Sequence, residues 1–156
     1  MVGVPGSGGF SGMLIRKQGA EEDKAATTQQ HRTRILIIDD EPDITLTFRV
    51  ALTNKGFKQV ETINDPAFAL KNFKADSYDL LIIDIVMPEM DGFSLYEKIR
   101  KIDNKVKVCF ITALELNYQA LRAVFPAAPA TDDIGYFIRK PVDMDDLVKR
   151  INAEIR

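Results

Sequence analysis

Asp79-Leu80-Leu81-Ile82-Ile83-Asp84-Ile85-Val86-Met87-Pro88-Glu89-Met90-Asp91-Gly92 is the stretch whose reading decides how this chain folds. It opens as a short, nearly uninterrupted apolar run. Such a run is too short for a core helix and lacks the alternation of a half-exposed strand, so it predicts a strand over 79–83 that is buried on both faces. A carboxylate, Asp84, follows at the strand's end, and a Pro- and Gly-containing turn leads into the next helical pattern.

Working outward, the same signal recurs at Arg34 to Ile38 and at Val106 to Ile111. Gln59 to Ile63 is more polar and alternates, as an edge strand does, and Ile134 to Ile138 completes a set of five. Between the runs lie helical periods. Ile44, Phe48, Ala51 and Leu52 share one face, and Gly56 stops that helix with a left-handed cap. Asp65-Pro66 starts a second helix as N-cap and first turn. Leu95, Tyr96, Ile99 and Ile102 mark a third. Leu114, Tyr118, Leu121 and Phe125 mark a fourth, ended by Pro126, and Met144 to Ile155 marks a fifth, capped by Asp143. Strands alternating with helices predict an α/β fold, a doubly wound five-stranded parallel sheet with helices on both faces, because parallel neighbours need right-handed crossovers.

The bulk properties set limits on function. The chain has 156 residues, 46% of them hydrophobic, which suffices for one domain with a sizeable core. Its formal net charge of -2 gives no electrostatic case for nucleic acid or an anionic membrane as partner. No apolar stretch approaches the ~20 residues of a membrane span, and no secretory signal opens the chain. The single cysteine, Cys109, lies within an apolar run and reads as a buried, inert thiol, which fits a cytoplasmic location. Residues 1–32 have a Gly-rich opening and a polar continuation without period, and are expected to form a flexible tail ahead of a domain over 33–156. The Gly-rich segment from Gly3 to Phe10 is not a phosphate loop: Gly9 stands where the lysine belongs, and no strand precedes it. His31, the only histidine, lies in the polar tail and reads as neither ligand nor phosphorylated group.

Several motifs fall just past strand ends. They are Ile37-Ile38-Asp39-Asp40-Glu41-Pro42 after the first strand, Leu81 to Gly92 around Asp84, Ile111-Thr112-Ala113 after the fourth, and Lys140-Pro141 after the fifth. In this order, over the span from about Arg34 to Arg156, they resemble the response-regulator receiver family of two-component signalling. The central run is very specific; an isolated Asp-Asp or Lys-Pro is not.

The resemblance implies a flavodoxin-like sheet of strand order 2-1-3-4-5, in which strands 1 and 3 are neighbours and ligands collect at their carboxyl ends. Asp39, Asp40 and Asp84 then converge. Three carboxylates a few ångströms apart repel, and either protons or a hard cation such as Mg²⁺ must relieve them. Carried over residue by residue, the resemblance implies that Asp84 accepts a phosphoryl group. Asp40 and Asp84 bind Mg²⁺ directly, Asp39 binds it through water, and the carbonyl of Val86 is a further ligand. Thr112, Ala113 and Lys140 hold phosphate oxygens, and Thr112 with Phe137 forms the switch. Expected partners are a histidine kinase or histidine phosphotransfer protein and a downstream protein, with the receiver itself a monomer or a weak phosphorylation-dependent dimer.

Other readings compete. Asp39 to Glu41 have the composition of a helix N-terminus and serve the first helix as caps in the bland reading. A Mg²⁺-dependent phosphohydrolase with Asp84 as nucleophile is the rival activity, but such enzymes resemble this site with a second Asp two residues on, where this chain has Val86. Val86 and Leu114, two beyond Asp84 and Thr112, are both apolar and are expected to slow self-hydrolysis of an aspartyl phosphate. Pro126 to Asp133 is longer and odder than the family's usual connection, which puts the usual partner face in doubt. The end of the chain at Arg156 leaves no room for an output domain, so the expectation is a stand-alone receiver or a fragment of a larger regulator.

Overall fold

The computed structural model describes residues 10–115, 117–129 and 136–155. Five strands, β1 (Arg34–Ile38), β2 (Gln59–Ile63), β3 (Leu80–Asp84), β4 (Lys107–Thr112) and β5 (Tyr136–Arg139), form one sheet of order β2-β1-β3-β4-β5. Every pairing is parallel. The helices are α1 (Phe10–Arg32), α2 (Pro42–Asn54), α3 (Pro66–Asn72), α4 (Gly92–Arg100), α5 (Tyr118–Val124) and α6 (Met144–Glu154).

The alternating side-chain directions of the central strands divide the core into two layers. Leu36, Ile38, Leu81, Ile83, Val108 and Phe110 face α3, α4 and α5, where they meet Ala69, Phe93, Leu95, Tyr96, Ile99 and Leu121. Ile35, Ile37, Leu80, Ile82, Cys109 and Ile111 face α2 and α6, where they meet Phe48, Leu52, Leu147 and Ile151. Burial on both faces explains why these strands read as continuous apolar runs. β2, at the edge, keeps its exposed and half-buried alternation. Cys109 is buried in the second layer, and burial pushes its thiol up to about 12, so it is inert as a nucleophile.

Helix ends follow their local chemistry. Asp65, Asp91 and Asp143 cap α3, α4 and α6 by accepting from the amides of Ala67, Ser94 and Asp146. After α2, the Phe57 amide donates to Leu52 O and the Gly56 amide to Thr53 O, each at 3.1 Å, with Gly56 at φ +106°. This is the Schellman closure expected of a glycine there.

Two helices differ from expectation. The segment expected to lack regular structure is helical over Phe10–Arg32. Ala, Glu, Lys and Gln are strong helix formers, and they sustain a helix without the apolar stripe that periodicity detects. The last turn of α1 meets the domain through amides: Gln29 donates to the carbonyl of Ile155, and Gln30 Nε2 to Asn152 Oδ1 at 3.2 Å. The fourth crossover helix starts at Tyr118 instead of Leu114, because Asn117 accepts from the Ala120 amide at 2.8 Å and sets the N-terminus. Strand β5 is described from Tyr136 to Arg139; Ile134 and Gly135, expected to open it, lie outside the described residues, as do residues 130–133 of the Pro126 to Asp133 segment.

The start of α4 is pressed against the end of β3. The Gly92 amide donates to Ile85 O at 2.8 Å, and a Cβ at position 92 would lie 2.3 Å from the carbonyl oxygen of Asp84 and 2.9 Å from Ile83 Cγ2. No such contact is tolerated, so the turn over 85–91 exists in this form only with glycine. Gly92→Ala is expected to cost about 2 kcal/mol and to lower Tm by roughly 5 °C. Gly19→Ala, where nothing lies within 4 Å of the added carbon, should be neutral or slightly stabilising. Thermal melts of the two variants test this, and equal melting temperatures would contradict the account.

Candidate functional site

The register of β1 and β3 pairs Ile38 with Ile83, so the residues that follow, Asp39 and Asp84, emerge side by side at the carboxyl end of the sheet. Asp40 joins them. One carboxylate oxygen from each of Asp39, Asp40 and Asp84 lies within 4.8 Å of the others. Asp39 is 2% exposed and Asp84 5%, so water does little to screen their repulsion.

Backbone and side-chain contacts hold the cluster in shape. The Asp39 amide donates to Ile63 O at 3.3 Å, and Asp39 Oδ1 accepts from the Glu41 amide at 3.0 Å. Its other oxygen accepts from Lys140 Nζ at 3.0 Å, and the same ammonium stands 3.7 Å from Asp84 Oδ2. Lys140 arrives there from β5, its amide donating to Thr112 O at 2.7 Å, and the Lys140–Pro141 bond is cis. Glu41 occupies the N-cap position of α2 without a side-chain capping bond, so its carboxylate is not that helix's cap.

One ammonium faces three carboxylates. Burial raises the Asp84 carboxyl to about 7, Asp39 and then Asp40 push it the same way, and Lys140 and the Val86 amide oppose them. Burial pulls the Lys140 ammonium down, but its hydrogen bond to Asp39 and the charges of Asp84, Asp39 and Glu41 outweigh that and hold it above its ordinary value. The donor set, three carboxylates at one mouth with only one cation between them, is the kind of oxygen-rich site that a hard divalent cation fits.

The remaining predicted residues lie at different depths near the ends of β3, β4 and β5. Thr112 is the last residue of β4 and fully buried; its Oγ1 accepts from the Leu114 amide at 3.1 Å. Ala113, next to it, is exposed. Val86 is 49% exposed beyond Asp84, and Leu114 is half-buried against the α3–α5 layer of the core. Phe137 is half-buried on β5, paired in register with Phe110, and packs against the same layer. The structure thus brings Asp39, Asp40, Asp84 and Lys140 into direct proximity. Phe137 stands in the core on the far strand.

Two features of the site are missing from the sequence reading. Asn64, after β2, donates from Nδ2 to both Asp39 O and Thr45 Oγ1 at 2.9 Å. Nothing in its sequence position distinguishes it from an ordinary loop asparagine. The second is the contact of Gly92 with the Asp84 carbonyl, which only the fold reveals. A cleft of about 550 Å³ lies at the opposite, amino-terminal end of the strands. There Arg34 pairs with Asp79 at 3.0 Å, and Asp103 accepts from the amides of Asp76, Lys105 and Val106. Among the described residues, no helix is long and apolar enough to cross a membrane.

Comparison with known proteins agrees with this geometry. A family model described as the response regulator receiver domain matches residues 35–152. The chemotaxis protein CheY of Bacillus subtilis is 33% identical over 78% of this chain and 97% of its own length. The transcriptional regulatory protein RprY of Bacteroides fragilis is 32% identical over 80% of this chain, which spans only 50% of that protein. Among solved structures, the CheX–CheY–BeF3–Mg²⁺ complex of Borrelia burgdorferi aligns with a TM-score of 0.64 at 27% identity, covering 78% of this chain and 87% of that one. With a five-stranded parallel sheet of order β2-β1-β3-β4-β5, an acidic cluster at its carboxyl end and a family match over residues 35–152, the chain belongs to the response regulator receiver domains, the phosphoacceptor switches of two-component signalling.

Proposed function

We propose that residues 33–156 form a receiver that takes a phosphoryl group onto Asp84 from the phosphohistidine of a histidine kinase or phosphotransfer protein, and that it signals by altered protein binding. The observation that carries this reading is the position of Asp84, last in β3, beside Asp39 and within 3.7 Å of Lys140 Nζ. In the transfer, an Asp84 carboxylate oxygen forms the new O–P bond as the N–P bond of the donor imidazole breaks, and the imidazole leaves with its electron pair.

Receiver domains bind Mg²⁺ in general, and the acidic cluster fits it. Asp39, Asp40, Asp84 and the carbonyl of Val86 would hold the ion, which when bound supplies positive charge to the carboxylates and to the transferred phosphate oxygens. The chain's own groups do the rest. Lys140 stands close enough to Asp84 to pair with an equatorial oxygen, and Thr112 and the Ala113 amide, at the end of the neighbouring strand, are the groups to bind another. Thr112 Oγ1 accepts from the Leu114 amide and keeps its hydroxyl hydrogen to donate, and we assign the response to a turn of this side chain toward that oxygen, with Phe137 repacking as the second part of the switch. On this reading α1 (Phe10–Arg32) is an appendage to the domain, joined through its last turn.

Phosphohydrolase turnover is the weaker reading. Val86, two residues past Asp84, carries no proton to give a leaving group, and the site offers Lys140 only as a counter-ion. The expected phosphoprotein is long-lived for a related reason: neither Val86 nor Leu114 can orient a water molecule toward the phosphorus.

Intact mass after incubation with Mg²⁺ and acetyl phosphate tests the central reading: one added phosphoryl group is expected on the parent protein and none on Asp84→Asn. A modified Asp84→Asn variant, or an unmodified parent, would contradict it. Loss of the phosphoryl group should be about tenfold faster in Val86→Asn and Leu114→Glu than in the parent. Unchanged decay in both variants would remove the two side chains from the account.

A further inference from the structure

The peptide unit that joins the two leading acidic residues is held from outside by a residue of a different loop. The Asp39 carbonyl accepts from Asn64 Nδ2 at 2.9 Å, and the second hydrogen of the same amide goes to Thr45 Oγ1, also at 2.9 Å. Thr45, 2% exposed, passes the connection on, its hydroxyl donating to Pro42 O at 3.1 Å. The carbonyls of Asp39 and Pro42 bracket the segment that carries Asp40 and Glu41. One amide side chain therefore pins both ends of the acidic turn.

Because a peptide group is planar, fixing the Asp39 carbonyl also fixes the amide and Cα of Asp40. The Asp39 amide is already tied to Ile63 O, so the residues on either side of the β2 end, Ile63 and Asn64, grip the Asp39 backbone from both directions. Asn64 is not needed to start α3, since Asp65 caps that helix by itself. Nor is it a core residue: Asn64 is exposed, yet it directs both amide hydrogens inward instead of to water.

We propose that Asn64 is a positioning residue for the divalent-cation site, acting through Thr45 to set the direction in which the carboxylates of Asp39 and Asp40 present their oxygens. The proposal rests on the receiver reading given above. It predicts an effect on cation affinity out of proportion to any effect on folding, because partners behind a ligand control its orientation more than its presence.

Titration calorimetry with Mg²⁺ on the full chain, together with acetyl phosphate kinetics as a function of Mg²⁺ concentration, tests it. Asn64→Ala and Asn64→Asp, which replace the donor by nothing or by an acceptor, are expected to weaken Mg²⁺ binding about tenfold. The half-saturating Mg²⁺ concentration for phosphorylation should rise by the same factor, with the limiting rate at saturating Mg²⁺ preserved. Thr45→Val should reproduce part of the effect and add little in combination with Asn64→Ala, since the two side chains act in one chain of bonds. A lowered Tm with unchanged Mg²⁺ affinity and half-saturation in both Asn64 variants would reduce Asn64 to a structural role and overturn the proposal. A parent protein that takes up no Mg²⁺ would instead overturn the receiver reading, and the positioning role with it.

Discussion

Repulsion among three carboxylates, drawn together within 4.8 Å at the mouth of the sheet and offset by a single ammonium, is the constraint to which much of the structure answers. The strands bring it about. β1 and β3 are neighbours in parallel register, so the residues that follow the Ile38–Ile83 pair must lie side by side, and both are acidic. Burial then removes the water that would dilute the repulsion. The result is a site in which Asp84 is held up to about 7, far above an ordinary carboxylate, with burial the largest cause.

Around this centre the chain spends specific residues to hold an unfavourable arrangement in place. Lys140 reaches in from β5 to Asp39 and Asp84, and its amide binds the carbonyl of Thr112, which links the ends of β4 and β5 to the acidic mouth. Asn64 and Thr45 grip the backbone of the acidic turn from β2 and α2. Gly92 lets α4 begin in contact with the Asp84 carbonyl. The two apolar layers make this affordable, for they anchor β1, β3 and β4 on both faces and leave polar chemistry only at the strand ends.

Much of this was legible from residue order, for physical reasons that differ by element. β1, β3 and β4 are buried on both faces, and such strands announce themselves as apolar runs. Asp65, Asp143 and Gly56 act through short-range hydrogen bonds or backbone conformation and are recognisable from a few neighbours. Helix α1 was not legible, because its helix-forming residues carry no apolar stripe. The start of α5 was misplaced because the spacing of Leu114 and Tyr118 suggested a continuous face, whereas Asn117 caps the helix between them. At the site, Asp39, Asp40, Asp84, Thr112 and Lys140 stood out through their places at strand ends. Asn64 did not, since its importance comes from a backbone carbonyl 25 positions away, and no local pattern marks such a contact.

If cation and proton compete for the same crowded carboxylates, their binding must be linked. Calorimetric titration of Mg²⁺ into the protein in buffers of different ionisation enthalpy, at pH 6 and at pH 8, measures that linkage. With Asp84 titrating at about 7, binding should release close to one proton at pH 6 and almost none at pH 8, and the apparent affinity should be about tenfold weaker at pH 6. Mg²⁺ binding of equal affinity at the two pH values, with no proton released at either, would contradict the account.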